Sequence, residues 1–297
     1  MNGKRRFERG GRQGTDGFLG ALPATSFGAV SERPFAESAR AQNTPPAGTS
    51  SPGKSAQGSE CPENSIIVLV HAAWADGYCW RSVLLPLKRR GLKVTCAPIP
   101  LTSLTDDATA LTWTLERTSG PVVLVGHAYS GAVIAAVREE RVKSLVYISA
   151  LAPDEGETVA KVFYRDTASA QQPKMVPDSH GLVWMPESAF RRALAQNATV
   201  DQVRVAAAVQ RPIAIQCIQQ PAPTPLWKSK PSWYLLAEED RMINPKTQQF
   251  MAKRMGATIR PYPVDHTPMY SAPDLVVDVI LQAASATLGL RVRSRGK

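Results

Sequence analysis

The 297-residue sequence has no run of eighteen or more apolar residues, so no membrane-spanning helix is expected. It is poor in cysteine. Cys61, Cys79, Cys96 and Cys217 form no CxxC pair, and no His/Cys cluster has metal-ligand spacing, so no metal site is expected. Cys96 falls in a strand-like apolar stretch and Cys79 at the start of a helical pattern, which reads as structural thiols and leaves the redox compartment undecided. No cofactor motif is present. No helix-turn-helix, zinc-finger or aromatic RNA-binding signature accompanies the net charge of +10, so no nucleic-acid partner is expected.

That charge is unevenly spread. Arg291, Arg293, Arg295 and Lys297 make residues 291–297 a basic tail, and residues 1–64 are also basic on balance. The tail reads as a solvated terminus. Residues 1–64 are rich in Gly, Pro, Ser, Ala and Arg without sustained periodicity, as in a disordered or processed leader. Lys4-Arg5-Arg6-Phe7, a mildly apolar stretch from Phe18 to Val30, and Ala39-Arg40-Ala41 together resemble a twin-arginine export signal. The match is degenerate. Phe7 follows the arginine pair directly, Pro23 interrupts the apolar stretch, and Glu32, Arg33 and Glu37 precede the cleavage-like site. Export to the periplasm and a cytoplasmic protein with a disordered extension stay open.

From residue 65 the pattern changes. Ser65–Val70, Lys93–Pro98, Pro121–Gly126, Lys143–Ala150, Ser232–Ala237 and Thr258–Pro263 read as six strands. Helical spacing over Tyr78–Arg90, Asp106–Glu116, Ala132–Arg138, Lys246–Met255 and Leu275–Leu288 alternates with them, with Gly91 and Gly256 as stops. Alternating strands and helices predict a doubly wound α/β fold with a mainly parallel six-stranded sheet. Residues 65–290 form this domain. A long insertion, residues 155–230, carries helical pieces near 187–196 and 199–210 and is expected as a helical cap.

Ligands of such a sheet bind beyond the carboxyl ends of its strands. One strand runs into His71-Ala72-Ala73-Trp74, a turn of small residues that presents backbone N–H groups. Another runs into Gly126-His127-Ala128-Tyr129-Ser130-Gly131, a sharp strand-to-helix turn. The fifth ends at Glu238-Glu239-Asp240, and Asp265-His266-Thr267-Pro268-Met269 follows the sixth.

These four segments, in this order, resemble the α/β-hydrolase superfamily, most of all its small esterase and hydroxynitrile-lyase-like group. The oxyanion turn there reads H-G-A-W, the nucleophile elbow G-H-S-x-G-G, the acid turn D-x-x-I (here Asp240-Arg241-Met242-Ile243) and the base D-H-x-x-M. The resemblance implies that His266 is the general base, Asp240 its orienting acid, and the Ala73 and Tyr129 N–H groups the oxyanion hole. Glu238 and Glu239 remain alternatives for the acid. His127 is expected to support the elbow, and His180 to be a surface residue.

One position departs from the pattern. Ala128 stands where the family carries its nucleophilic serine, and an alanine side chain cannot attack a carbonyl. Losing the serine of a working triad costs about 10⁶ in turnover, roughly 8 kcal/mol of barrier. Ser130 is a candidate substitute, but it lies roughly 200° around the helix from position 128 and suits a capping or packing role. Three readings follow. They are a hydrolase of small ester-like substrates using Ser130, a direct-water or lyase-like enzyme using His266 and Asp240, and a ligand-binding pseudo-hydrolase. The expected partner is a small molecule. Trp74, Tyr78, Trp80, Phe163, Tyr164 and Trp184 suggest an apolar or aromatic pocket. The sequence does not define the oligomeric state.

Overall fold

A computed structural model describes residues 64–289; the leader and the basic tail lie outside the described residues. Six strands, β1 (Ile66–Val70), β2 (Lys93–Ala97), β3 (Val122–His127), β4 (Val142–Ile148), β7 (Ser232–Ala237) and β8 (Thr258–Tyr262), form one sheet in the order β2-β1-β3-β4-β7-β8. Every pair in it is parallel. The four inner strands are buried on both faces, which is why they read as continuous apolar runs rather than alternating ones.

Successive side chains still go to opposite faces. Val68, Val70, Leu124, Tyr147 and Leu236 pack with α2 (Leu104–Glu116), α3 (Ser130–Ala136) and α8 (Pro245–Arg254). Ile67, Leu69, Val125, Ile148 and Leu235 pack with α1 (Arg81–Arg89) and α10 (Pro273–Leu288). Pro261, which has no N–H to give a ladder, sits in β8 at the sheet edge, where Pro is tolerated.

Several element ends differ from the sequence reading. The first helical stretch opens as a 3₁₀ turn, Gly77–Trp80, capped by Asp76. The third helix starts at Ser130 rather than Ala132, directly out of the elbow, and ends where Val137 turns extended. Ser103 caps α2 through the Asp106 N–H, which moves its start to Leu104.

The chain between β4 and β7 holds α4 (Val159–Phe163), β5 (Leu182–Val183), α5 (Glu187–Ala189), a π-helical turn (Phe190–Leu194), α6 (Val200–Ala208), β6 (Ile213–Ala214) and α7 (Ile215–Gln219). The helical pieces expected near 187–196 and 199–210 are present. The antiparallel pair β5–β6 was not expected, because two-residue strands carry no readable period. After β8 a short helix, α9 (Pro268–Ser271), precedes α10. Among the described residues no helix is long and apolar enough to cross a membrane.

Candidate active site

The turn between β3 and α3 is two residues long. Ala128 holds φ at +49°, a left-handed conformation that L residues other than Gly adopt only at a cost of about 1 kcal/mol or more. Its neighbours explain how the chain makes the turn. A Cβ on Gly126 would lie 2.8 Å from the Ser130 carbonyl oxygen, and one on Gly131 would lie 2.4 Å from that of Leu151. Strand, helix and the chain after β4 therefore approach closer than any side chain permits.

Ser130 is sealed inside this turn. Its Oγ accepts from His127 N–H at 2.8 Å, and its own proton has two acceptors in reach, Val70 O at 2.8 Å and His127 O at 2.9 Å. The side chain has no exposed surface and lines neither cavity described below. The hydroxyl thus ties the elbow to β1.

The loops after β7 and β8 bring Asp240 and His266 together. Glu238 and Glu239 are exposed, whereas Asp240 turns inward, which leaves Asp240 as the carboxylate at the histidine. Asp240 Oδ1 accepts from Met242 N–H at 2.7 Å and Ile243 N–H at 2.9 Å. Its Oδ2 accepts from Gln248 Nε2 at 2.7 Å and lies 2.7 Å from His266 Nδ1. His266 is 3% exposed.

Two further histidines lie in this layer. The His127 Nε2–H donates to the His266 carbonyl at 2.8 Å, and the two rings are 4.9 Å apart. Burial, and then the neighbouring His266, push the His127 pKa down to about 3, so that ring stays neutral. His71 accepts from Ile99 N–H on Nε2 and donates from Nδ1 to Ala72 O; burial lowers its pKa too. His180, in the insertion, is exposed. Asp265 accepts from Asn197 N–H at 2.8 Å and Ser271 Oγ at 3.1 Å, which ties the histidine loop to the insertion.

Two cavities meet at Trp74, Ala128 and His266. The larger of the two is walled by Tyr129, Leu151, Phe163, Met175, Val183 and Ile213 among others, with no Lys, Arg or carboxylate. The smaller is walled by Ala72, Ala73, Cys79, Phe190, Leu194 and Tyr270 among others. Of the aromatic residues expected in a pocket, Trp74, Phe163 and Tyr164 line the larger cavity. Trp80 is buried edge-on against His127, and Tyr78 and Trp184 are on the surface; none of the three lines either cavity.

Trp74, at φ +57°, donates its indole N–H to Val183 O at 2.9 Å and its backbone N–H to Arg211 O at 3.0 Å, so the turn after β1 is tied to the insertion. Among the described residues, the backbone N–H groups of Ala73 and Tyr129 make no hydrogen bond to another backbone group. No group of three His, Cys, Asp or Glu side chains among the described residues could hold a metal ion.

The sequence singled out neither Gln248 nor Asp107. Asp107 is fully buried in α2 with no cation beside it. It accepts from Leu101 N–H at 2.6 Å and Tyr129 Oη at 2.7 Å, and Cys217 Sγ lies 3.6 Å away. Burial raises its pKa. A carboxylate at a helical spacing that otherwise points to the core was its only signal.

The Alpha/beta hydrolase family model matches residues 67–279. The chain is 25% identical to Methylesterase 2 of Arabidopsis thaliana over 252 residues, 73% of this chain and 95% of that one. Among solved structures, polyneuridine aldehyde esterase superposes with a TM-score of 0.65 at 18% identity, over 75% of this chain and 100% of that one. A pyrethroid hydrolase from Sphingobium faniae JZ-2 does so with a TM-score of 0.65 at 21% identity, over 75% and 98%. With a six-stranded parallel sheet flanked by helices and a family match over most of its described length, the chain belongs to the alpha/beta hydrolase family.

Proposed function

We propose that the protein is a hydrolase of small, neutral, ester-like substrates in which His266 and Asp240 activate a water directly, without a serine acyl-enzyme. One observation carries the reading. The His266–Asp240 contact of 2.7 Å is buried, while His266 and Ala128 wall the same two cavities. Residues 65–290 are then the catalytic domain and residues 155–230 its cap.

Asp240 accepts a hydrogen bond from His266 Nδ1–H, which keeps the proton on Nδ1 and leaves the Nε2 lone pair free to take a proton from water. The water oxygen attacks the ester carbonyl. The Ala73 and Tyr129 N–H groups receive the oxyanion. The imidazolium returns its proton to the leaving alkoxide, and one ester and one water become one acid and one alcohol. Ala128 takes the place of the usual nucleophile, and its methyl group leaves room there for a water. Ser130 serves as a structural tie, because using it as nucleophile would break its bonds to His127 and Val70. Turnover without the acyl-enzyme retains about 10³–10⁴ over water from the oxyanion hole and binding.

The test is hydrolysis of p-nitrophenyl esters with a fluorophosphonate label alongside. Wild type is expected to turn over slowly, with no burst and no label, and His266→Ala to lose the activity. Unchanged turnover in His266→Ala, or labelling of Ser130 in wild type, overturns the reading. A second reading has His266 take a proton from the substrate itself, as in a lyase; the apolar wall of the larger cavity favours it. Product analysis separates the two, since only hydrolysis incorporates a solvent oxygen.

A further inference from the structure

We infer that Gln248 is a positioning residue that holds Oδ2 of the Asp240 carboxylate in place for His266. This rests on the reading of Asp240 and His266 as the acid–base pair. Gln248 lies in α8, has no exposed surface, and spends its whole amide on the acid turn. Its Nε2 donates to Asp240 Oδ2 at 2.7 Å and to Ile243 O at 3.0 Å, and its Oε1 accepts from Ala237 N–H at 3.1 Å. The side chain therefore joins the last residue of β7 to the acid and to the turn that follows it.

The division of labour on the carboxylate is specific. Met242 and Ile243 N–H both hold Oδ1, and neither donates to Oδ2. Gln248 holds Oδ2, the oxygen that meets His266 Nδ1. A neutral donor suits this place. A Lys or Arg there would neutralise the carboxylate and weaken its attraction for an imidazolium. The titratable groups facing the pair are few: Asp265 and His127 face His266, and Tyr234 faces Asp240. None of them donates to Asp240 Oδ2, so the fixing of that oxygen falls to Gln248.

The experiment reads the resting protein by nitrogen-15-edited NMR. Gln248→Met keeps the length and removes both hydrogen-bonding ends. In that variant, folded by circular dichroism, the His266 Nδ1 proton is expected to move upfield and to exchange about tenfold faster, the equivalent of one lost hydrogen bond. An unchanged resonance and exchange rate in the folded variant overturns the proposal. Because the buried amide also supports the fold, a second measurement approaches the same bond from the acid. In Asp240→Asn the side-chain amide resonances of Gln248 are expected to shift more than those of Gln210 or Gln220, and no such difference overturns the proposal. Neither readout uses turnover, so absence of esterase activity would remove the proposed function while leaving the Gln248 result standing on its own. Where turnover is measurable, Gln248→Met is expected to lower kcat by about ten- to a hundredfold, the scale of a misplaced catalytic group, with KM held. A loss in KM alone would mark the residue as merely structural.

Discussion

The acid–base side and the elbow side of this site meet at one edge of one sheet, yet they are built by different means. After β7 and β8, the arrangement rests on polar contacts to side chains. Asp240 is gripped by two backbone N–H groups and Gln248, and it in turn meets His266. After β3, the backbone does the work. The close approach at Gly126 and Gly131 and the left-handed turn at Ala128 shape the elbow whatever side chain stands at 128. An elbow shaped by close backbone approach does not depend on the side chain at 128, whereas the Asp240–His266 contact depends on each polar atom that holds it.

The sharpest way to break this contrast is Ala128→Ser. The elbow already carries the strain of a positive φ, so the variant adds only a hydroxyl. Esterase turnover is expected to rise by several orders of magnitude, with a ceiling of about 10⁶, and fluorophosphonate label should appear at residue 128. A variant that neither labels nor accelerates would mean that the elbow's form alone is not enough.

Asp240→Asn in the Ala128→Ser background tests the other side. It keeps the shape and inverts the hydrogen bond to His266, and kcat is expected to fall by about 10⁴. Steady-state rates for the two variants side by side give the number.

The next effect is on stability against pH. His127 is buried and neutral, its pKa pushed down to about 3 from the ordinary 6.5 of a histidine. The unfolded chain takes up a proton below 6.5 and the folded chain does not until about 3. Stability is therefore expected to fall as pH drops through that window, by about 1.4 kcal/mol per unit from this group once the unfolded histidine is charged. Burial lowers the His71 pKa and adds to the loss, while the raised pKa of Asp107 works against it at the acid end. Denaturant midpoints between pH 7 and pH 4, for wild type and His127→Gln, check the slope; the variant should be flatter.

Ser130→Ala carries the smallest effect. It leaves the buried His127 N–H unpaired, which costs about 1–3 kcal/mol of stability. The activity of the folded protein should stay within about twofold of wild type, since a structural bond is lost and no reacting group is removed. Abolished turnover in a folded Ser130→Ala protein would make the elbow side chemically active and erase the contrast.

The sheet was legible because its signal is local. Runs such as Ile66–Val70 and Ser232–Ala237 are apolar throughout, as strands covered on both faces must be, and the helices between them keep their own spacing. The order of the four motif segments was legible for the same reason. The choice among Glu238, Glu239 and Asp240 was not, since three adjacent carboxylates look alike until the turn aims one of them inward.

Ala128 is where the two sources of knowledge divide. The sequence by itself determined that no hydroxyl stands there, because a missing atom is a property of residue type and no folding can supply it. Only the tertiary structure decided what surrounds that gap. Ser130 is sealed against β1, His127 is pinned to the His266 backbone, Asp107 is drawn to Tyr129, and Gln248 is set on the acid. Each of these contacts joins residues on different elements, and a side chain's direction in a turn is settled by what packs against it rather than by its neighbours in the chain.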